Sequence, residues 1–422
     1  MLSANTCLIS ALVVANAAVA QRFHLRSPND YKQTADDNAA TLLNARLERG
    51  EITLAAEGRS GRLRALLRAL SVPESSQMLV FSKTSLQRHR ISPQNPRAVY
   101  FGPDTYVGWV PGAAALEVAV GDPKLGIAFY KLPQGDDVPP RLERDDSCLR
   151  CHASTYTEDE PGLVLRSVFP DEGGDPIAGA GEADVSMRAP MVERWGGWIV
   201  TGHFAGEHRG NGIAFRGEDD RWQVHSQPAE DLNAFAADFK AEDYPMPTSD
   251  IGALLALEQQ VTLHNVLVRS MLQMRCLQEG DAALNEMLGE SGEREQTARI
   301  ADRLAKEITE QLLMGREASL AERDAAPLPA FARDFAALWP RDANGTRLGQ
   351  LDLRQRLFVL PMSPMVHSPA FARLPDALRE RVLVRLRKAL ARGRLPAGVT
   401  MTREQREVLD AHLAATLPGY GK

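Results

Sequence analysis

Residues 98–132 read AVYFGPDTYVGWVPGAAALEVAVGDPKLGIAFYKL. Short runs rich in Val, Tyr, Phe and Trp are split by Gly and Pro, the pattern of strands joined by tight turns. The run predicts strands at Ala98–Phe101, Tyr106–Val110, Leu116–Val120 and Ile127–Leu132, with an earlier one at Met78–Lys83. Gly102-Pro103-Asp104 and Gly121-Asp122-Pro123 supply two of the turns. Upstream, Asn38–Glu51 and Gly61–Leu70 carry Leu and Ala at helical spacing among many arginines. Downstream, a second strand-rich region spans Leu163 to Phe215, and beyond about Glu230 the chain turns helical. Leu254, Leu257, Val261, His264, Val268 and Met271 step by three and four, which is one buried stripe. Helices near Glu293–Met314, Asp376–Arg392 and Arg403–Ala415 follow, the last with Thr402 and Gln405 as a capping box. The expected fold class is α+β: a glycine- and aromatic-rich β core followed by a mainly helical C-terminal region.

Between the two β regions stands Cys148-Leu149-Arg150-Cys151-His152. This spacing is that of a c-type haem attachment site. Two thiols add to the two vinyl groups of haem, and the histidine after the second thiol sits beneath the iron as its proximal ligand. Cys-x-x-Cys also opens zinc sites and redox dithiols, but a structural zinc needs a second close pair of ligands. Of four cysteines, Cys7 lies near the start and Cys276 stands alone, on a helical run expected to bury it. The expected cofactor is one covalent haem c on Cys148 and Cys151, with His152 as axial ligand.

Covalent haem is attached outside the cytoplasm, so an export signal is expected. Residues 1–20, MLSANTCLISALVVANAAVA, carry no charged side chain. They hold a short apolar stretch and end in Ala18-Val19-Ala20, a small-x-small cleavage pattern. The stretch is short for a spanning helix, so the leading reading is a cleaved signal and a periplasmic protein with no membrane span, with an uncleaved N-terminal anchor as the alternative. Four parts follow: 1–20 signal peptide, 21–75 helical segment, 76–229 β-rich haem-binding domain, 230–422 helical region. The net charge of −6 and the lack of a basic run speak against nucleic acid as a partner. No phosphate-binding glycine loop, no His-Glu-x-x-His and no convincing nucleophile–base pair occurs.

Several stretches are distinctive in combination. They are Val80-Phe81-Ser82-Lys83-Thr84-Ser85, Arg90-Ile91-Ser92-Pro93 with Arg97-Ala98-Val99-Tyr100-Phe101, and Tyr106-Val107-Gly108-Trp109-Val110-Pro111-Gly112. The Cys148–Ser154 stretch, Arg166-Ser167-Val168-Phe169-Pro170, Trp195-Gly196-Gly197-Trp198 and His208-Arg209-Gly210-Asn211 continue the series, with His264-Asn265 and Ser368-Pro369-Ala370-Phe371 extending it. In these the chain resembles a group of exported bacterial mono-haem proteins, described as cytochrome c domain-containing. The resemblance implies haem c, electron transfer and a redox partner protein. It implies no substrate.

The iron's sixth position decides what such a protein does. A methionine raises the potential, a second histidine lowers it, and an open position admits ligands. Among nine histidines, His208 and His203 follow the Trp-Gly-Gly-Trp segment on a glycine-containing loop that can approach a flat cofactor. His264 on the buried stripe is the third candidate, against a satisfied core role. Met187 and Met191 could supply sulfur, and Arg166 and Arg194 could neutralise propionates. His24 and His89 are expected to be exposed, and Glu158-Asp159-Glu160 to be a solvated face or a docking surface. An electron carrier is the leading expectation. A haem enzyme with an open sixth position, or a haem sensor or assembly subunit, is the alternative.

Overall fold

The computed structural model describes residues 22–135, 137–321 and 324–421; the expected signal at 1–20 lies outside them. Its strands are β1 (Met78–Val80), β2 (Arg97–Phe101), β3 (Thr105–Trp109), β4 (Ala115–Asp122), β5 (Gly126–Pro133), β6 (Glu143–Arg144), β7 (Arg166–Val168), β8 (Glu182–Asp184), β9 (Trp198–Ile199), β10 (Ala214–Arg216) and β11 (Trp222–Val224). Seven of them form one antiparallel sheet in the order β6-β5-β4-β3-β2-β1-β9. The five strands expected between Met78 and Leu132 are all present, within three residues at each end.

Strand periodicity sorts the side chains into two faces. Phe101, Tyr106, Ala119 and Phe129 are successive cross-strand partners and form a row on one face. Tyr100, Val107, Val118 and Tyr130 form the equivalent row on the other. Both rows are buried, which is why these strands read as nearly continuous apolar runs.

The helices are α1 (Ala39–Glu48), α2 (Leu63–Ala69), α3 (Leu149–His152), α4 (Ile251–Leu288), α5 (Glu295–Leu312), α6 (Pro329–Ala337), α7 (Pro369–Ala372), α8 (Asp376–Arg392) and α9 (Arg403–Thr416). On one face, α1 and α2 pack Ala40, Leu43, Leu63, Leu66 and Leu67 against the Tyr100 row. On the other, α4 lays Leu254, Leu257, Val261 and Val268 over the Phe101 row, with α5, α8 and α9 layered behind it. Both cores draw on residues from either side of positions 75 and 229.

Helix α4 extends well past the expected stripe. Its N-cap Asp250 accepts the amide of Gly252, and Gly289 ends it in the left-handed region at φ +67°. Every residue from Ile251 to Val261 is buried, so its first turns are covered all round rather than along one stripe. The capping box at Thr402 and Gln405 forms as expected. Among the described residues no helix is long and apolar enough to cross a membrane.

The region from Leu163 to Phe215 departs from expectation. It holds only strands of two or three residues, and of these β9 alone joins the main sheet. Gly174, Gly179, Gly181, Gly197 and Gly202 all take positive φ, and Pro170, Pro176 and Pro190 withhold amide donors, so turns interrupt every run.

Candidate functional site

The Cys148–His152 stretch lies at one edge of the sheet. The edge strand β6 pairs with β5 through Tyr130 and Lys131, and the Asp145 amide bonds the Phe129 carbonyl at 2.9 Å. The Asp145 carboxylate caps the next turn by accepting the Ser147 amide. Its hydrogen bonds from Lys131 and Ser147 hold its pKa down at about 2. A 3-10 turn through Cys148 leads into α3. Both cysteines are free thiols three residues apart on this turn, which places them on one side. Cys148 is half-buried against the core and Cys151 is exposed. Burial pushes the Cys148 thiol up to about 11, so it stays protonated at neutral pH.

His152 is fixed from two sides. Its imidazole Nδ1 donates to the Gly162 carbonyl at 2.8 Å, while the Gly162 amide returns a bond to the His152 carbonyl at 2.8 Å. The ring lies 4.7 Å from that of Phe129, tilted by 39°. Nδ1 is thereby committed, and Nε2 has no partner among the described residues. Burial holds the imidazole pKa below its ordinary value, favouring the neutral form that can ligate a metal. Gly162 is required here: a Cβ would stand 2.9 Å from Asn265 Oδ1 and from Thr157 Cγ2. Asn265 of α4 then brackets Leu163, accepting its amide and donating to its carbonyl, each at 2.8 Å. The long helix thus fixes the loop that orients the imidazole.

Beside the motif, Arg97 of β2 arches over Gly108 and pairs with Glu117 of β4 at 2.6 Å. A Cβ on Gly108 would stand 2.2 Å from the guanidinium. Both groups act electrostatically on Cys148 and His152, and the buried Arg97 Nε has no hydrogen-bond partner. Paired thiols, an oriented imidazole with a free Nε2 and an arginine with spare donor capacity fit a thioether-linked haem. No group of three or more His, Cys, Asp or Glu side chains that could hold a metal ion occurs among the described residues.

The candidate sixth ligands do not gather around His152. His203 is exposed and pairs with Asp324 at 3.0 Å. His208 packs edge-on to Trp195 at 5.1 Å. Its Nδ1 accepts the Gly210 amide, and Ser226 Oγ touches the ring at 3.2 Å. Both lie beyond β9, at the sheet edge opposite His152. Five strand intervals separate β5 from β9, roughly 24 Å at the usual spacing, too far for one iron.

His264 of α4 is nearer, over the row that leads from Tyr106 to Phe129; its Nδ1 is engaged, while its buried Nε2 has no hydrogen-bond partner among the described residues. Tyr106 Oη accepts from Gln260 and donates to His264 Nδ1 at 2.9 Å. Nε2 stands 3.6 Å from Asp104 Oδ1, and Asp104 is held by Arg373. Burial, with the nearby Arg373 cation, drives His264 down to about 3, and burial lifts Asp104 to about 6. The polar chain is a core network.

Of the remaining candidates, Met187 and Met191 are buried with Trp195 and Trp198 in the same large core. Arg194 forms a buried ion pair with Glu258, which also accepts Trp195 Nε1. Arg166 pairs with Glu182. Cys276 is half-buried, with Asn29 Nδ2 at 3.2 Å from its sulfur.

Two expectations next to the motif are overturned. His24 is 4% exposed, not surface-lying, with Nδ1 at 2.9 Å from Glu160. Glu160 is itself buried; it accepts the backbone amides of Phe23 and His24 and is no part of a solvated face. The two residues lie 136 positions apart, so no local pattern joins them. Asn265 left a clearer trace, as a polar residue beside the buried stripe.

No protein-family model, no curated protein and no solved structure matches this chain.

Proposed function

We propose that the chain is an exported electron-transfer protein of the mono-haem cytochrome c type, with haem on Cys148 and Cys151 and His152 as axial ligand. The observation that carries this reading is the reciprocal bond pair between His152 and Gly162, which spends Nδ1 and leaves Nε2 for a metal. A bound haem would supply one-electron carriage between ferric and ferrous iron. The polypeptide's part is to present two thiols on one turn, hold the imidazole neutral and oriented through Gly162 and Asn265, and set a guanidinium beside the motif. A redox partner protein would receive or deliver the electron, and the 1–20 segment would direct export.

The test is expression of the full chain in a host with covalent haem-maturation machinery. The purified protein is expected to be coloured, to keep its haem after denaturation, and to begin at Gln21. Cys148→Ser or Cys151→Ser should leave at most one thioether, and the double variant should be colourless. Colourless wild-type protein, or haem extracted by acid and organic solvent, would sink the proposal.

A second reading has one observation in its favour: His203 and His208 are remote from His152, and His264 lies on α4 with Nδ1 bonded to Tyr106 and Nε2 3.6 Å from Asp104. A protein with an exchangeable sixth position, a haem enzyme or sensor, would bind carbon monoxide when reduced and cyanide when oxidised. An electron carrier with two protein ligands would ignore both.

A further inference from the structure

The loop that carries His208 lines a cleft of about 1000 Å³ at the sheet edge away from the Cys148–His152 turn. Its walls are Phe169, Val200, His208, Arg209, Trp222 and His225. Arg209 is the unusual member. Its guanidinium lies 4.4 Å from the centroid of the Phe169 ring and is half-buried. Among the described residues it has neither a hydrogen bond nor an ion pair; Glu193 acts on it only at a distance. Desolvation holds its pKa below the ordinary guanidinium value. A cation that has lost water without gaining a carboxylate is a docking point for an anion, and arginine's planar fork suits a carboxylate in particular.

The surrounding side chains define the rest of the ligand. Phe169 is buried, Trp222 is half-buried and His225 stacks on Phe215 at 4.4 Å. His208 contributes no positive charge near neutrality, because burial holds it at about 4.

The backbone holds the cleft in shape. The Arg209 amide bonds the Arg194 carbonyl at 2.9 Å. Asn211 accepts the Val200 amide and donates to the Val200 and Gln227 carbonyls. Gly210 and Gly212 sit where a Cβ would stand 2.6 Å from Val200 Cγ2 and 2.3 Å from the His225 carbonyl oxygen. Glu207 and Glu230 also line the cleft and are exposed; they would repel an ion carrying several charges more than a single carboxylate.

We infer that this cleft is a binding site for a small aromatic carboxylate, its charge on Arg209 and its ring among Phe169, Trp222 and His225. This inference does not depend on haem attachment, and the cleft and the Cys148–His152 turn lie at opposite edges of the sheet.

The experiment is titration calorimetry of the full chain at pH 7 with benzoate, with benzyl alcohol as its neutral counterpart, and with inorganic phosphate. Benzoate should bind at least ten-fold more tightly than either of the others. Arg209→Gln should weaken benzoate at least ten-fold, and Arg209→Lys should fall between. Arg216→Gln, on a guanidinium that stacks on Trp222 but does not line the cleft, should change it less than two-fold. In the wild-type protein, benzoate should also slow phenylglyoxal modification of Arg209, followed by peptide mass, which guards against a misfolded variant. The inference is overturned if benzoate does not bind, if phosphate or benzyl alcohol binds equally well, or if Arg209 is neither protected nor needed.

Discussion

His264 owes its neutrality to complete burial, and that has a pH signature. Its folded pKa of about 3 lies below the ordinary 6.5, so below pH 6.5 the unfolded chain binds a proton that the folded chain refuses. The folded protein therefore loses stability as pH falls through this window, by up to about 1.4 kcal/mol per pH unit from this group. His264→Gln removes the titration. Its deficit against wild type, measured by urea denaturation at pH 7, 6 and 5, should shrink as the solution is acidified; a constant deficit would show that His264 titrates alike in the folded and unfolded chains. Legibility at single positions divides along the same line. Cys148, Cys151 and His152 stand within five consecutive positions, so their placement on one turn was open to reading from spacing alone. The partners of His24, His152 and His264 are distant in sequence: Glu160, Gly162 across a ten-residue loop, and Tyr106 with Asp104. Nothing near His208 in the sequence indicates that Ser226 sits against its ring or that it stands at the sheet edge opposite His152.

Strands β2 to β5 were legible because both faces are buried and turn residues mark every end, and α8 and α9 because their apolar positions keep helical spacing. The stretch from Leu163 to Phe215 misled for a physical reason: aromatic and β-branched residues signal burial as well as strand, and here they fill a core between turns. Contact between α4 and the sheet depends on Gly126, which combines φ +80° with a Cβ position 2.4 Å from Val268 Cγ1. Gly126→Ala would strain the β4–β5 turn and push against the helix, and should cost about 2–4 kcal/mol, read as a lower denaturation midpoint with an unchanged m-value. A near-neutral result would mean that α4 can shift outward freely. The segment 162–163 ties the same helix to His152. Under the proposed haem c reading, Asn265→Ala would therefore alter the absorption spectrum through a loosened imidazole while leaving the thioether linkages in place.

Both hydrophobic cores run across the positions where composition changes. Leu254, Leu257, Val261 and Val268 cover one face of the sheet from beyond residue 230, and α1 and α2 cover the other from before residue 76. A chain ending at residue 229 would expose the Phe101, Tyr106 and Phe129 face, and should lack the near-ultraviolet circular dichroism and cooperative melting of the full protein. Retention of both would make the β region an autonomous unit.

The sheet's margins carry one more consequence. β6 pairs over only two residues; past it the Phe129 carbonyl is taken by the Asp145 amide and the Ile127 carbonyl by the Tyr31 hydroxyl. At the other side β9 is equally short, and Thr201 passes directly into a bridge with Asp250. Neither border offers a long ladder of vacant amides and carbonyls to a second molecule, so a mixed sheet spreading from chain to chain has no template from which to grow.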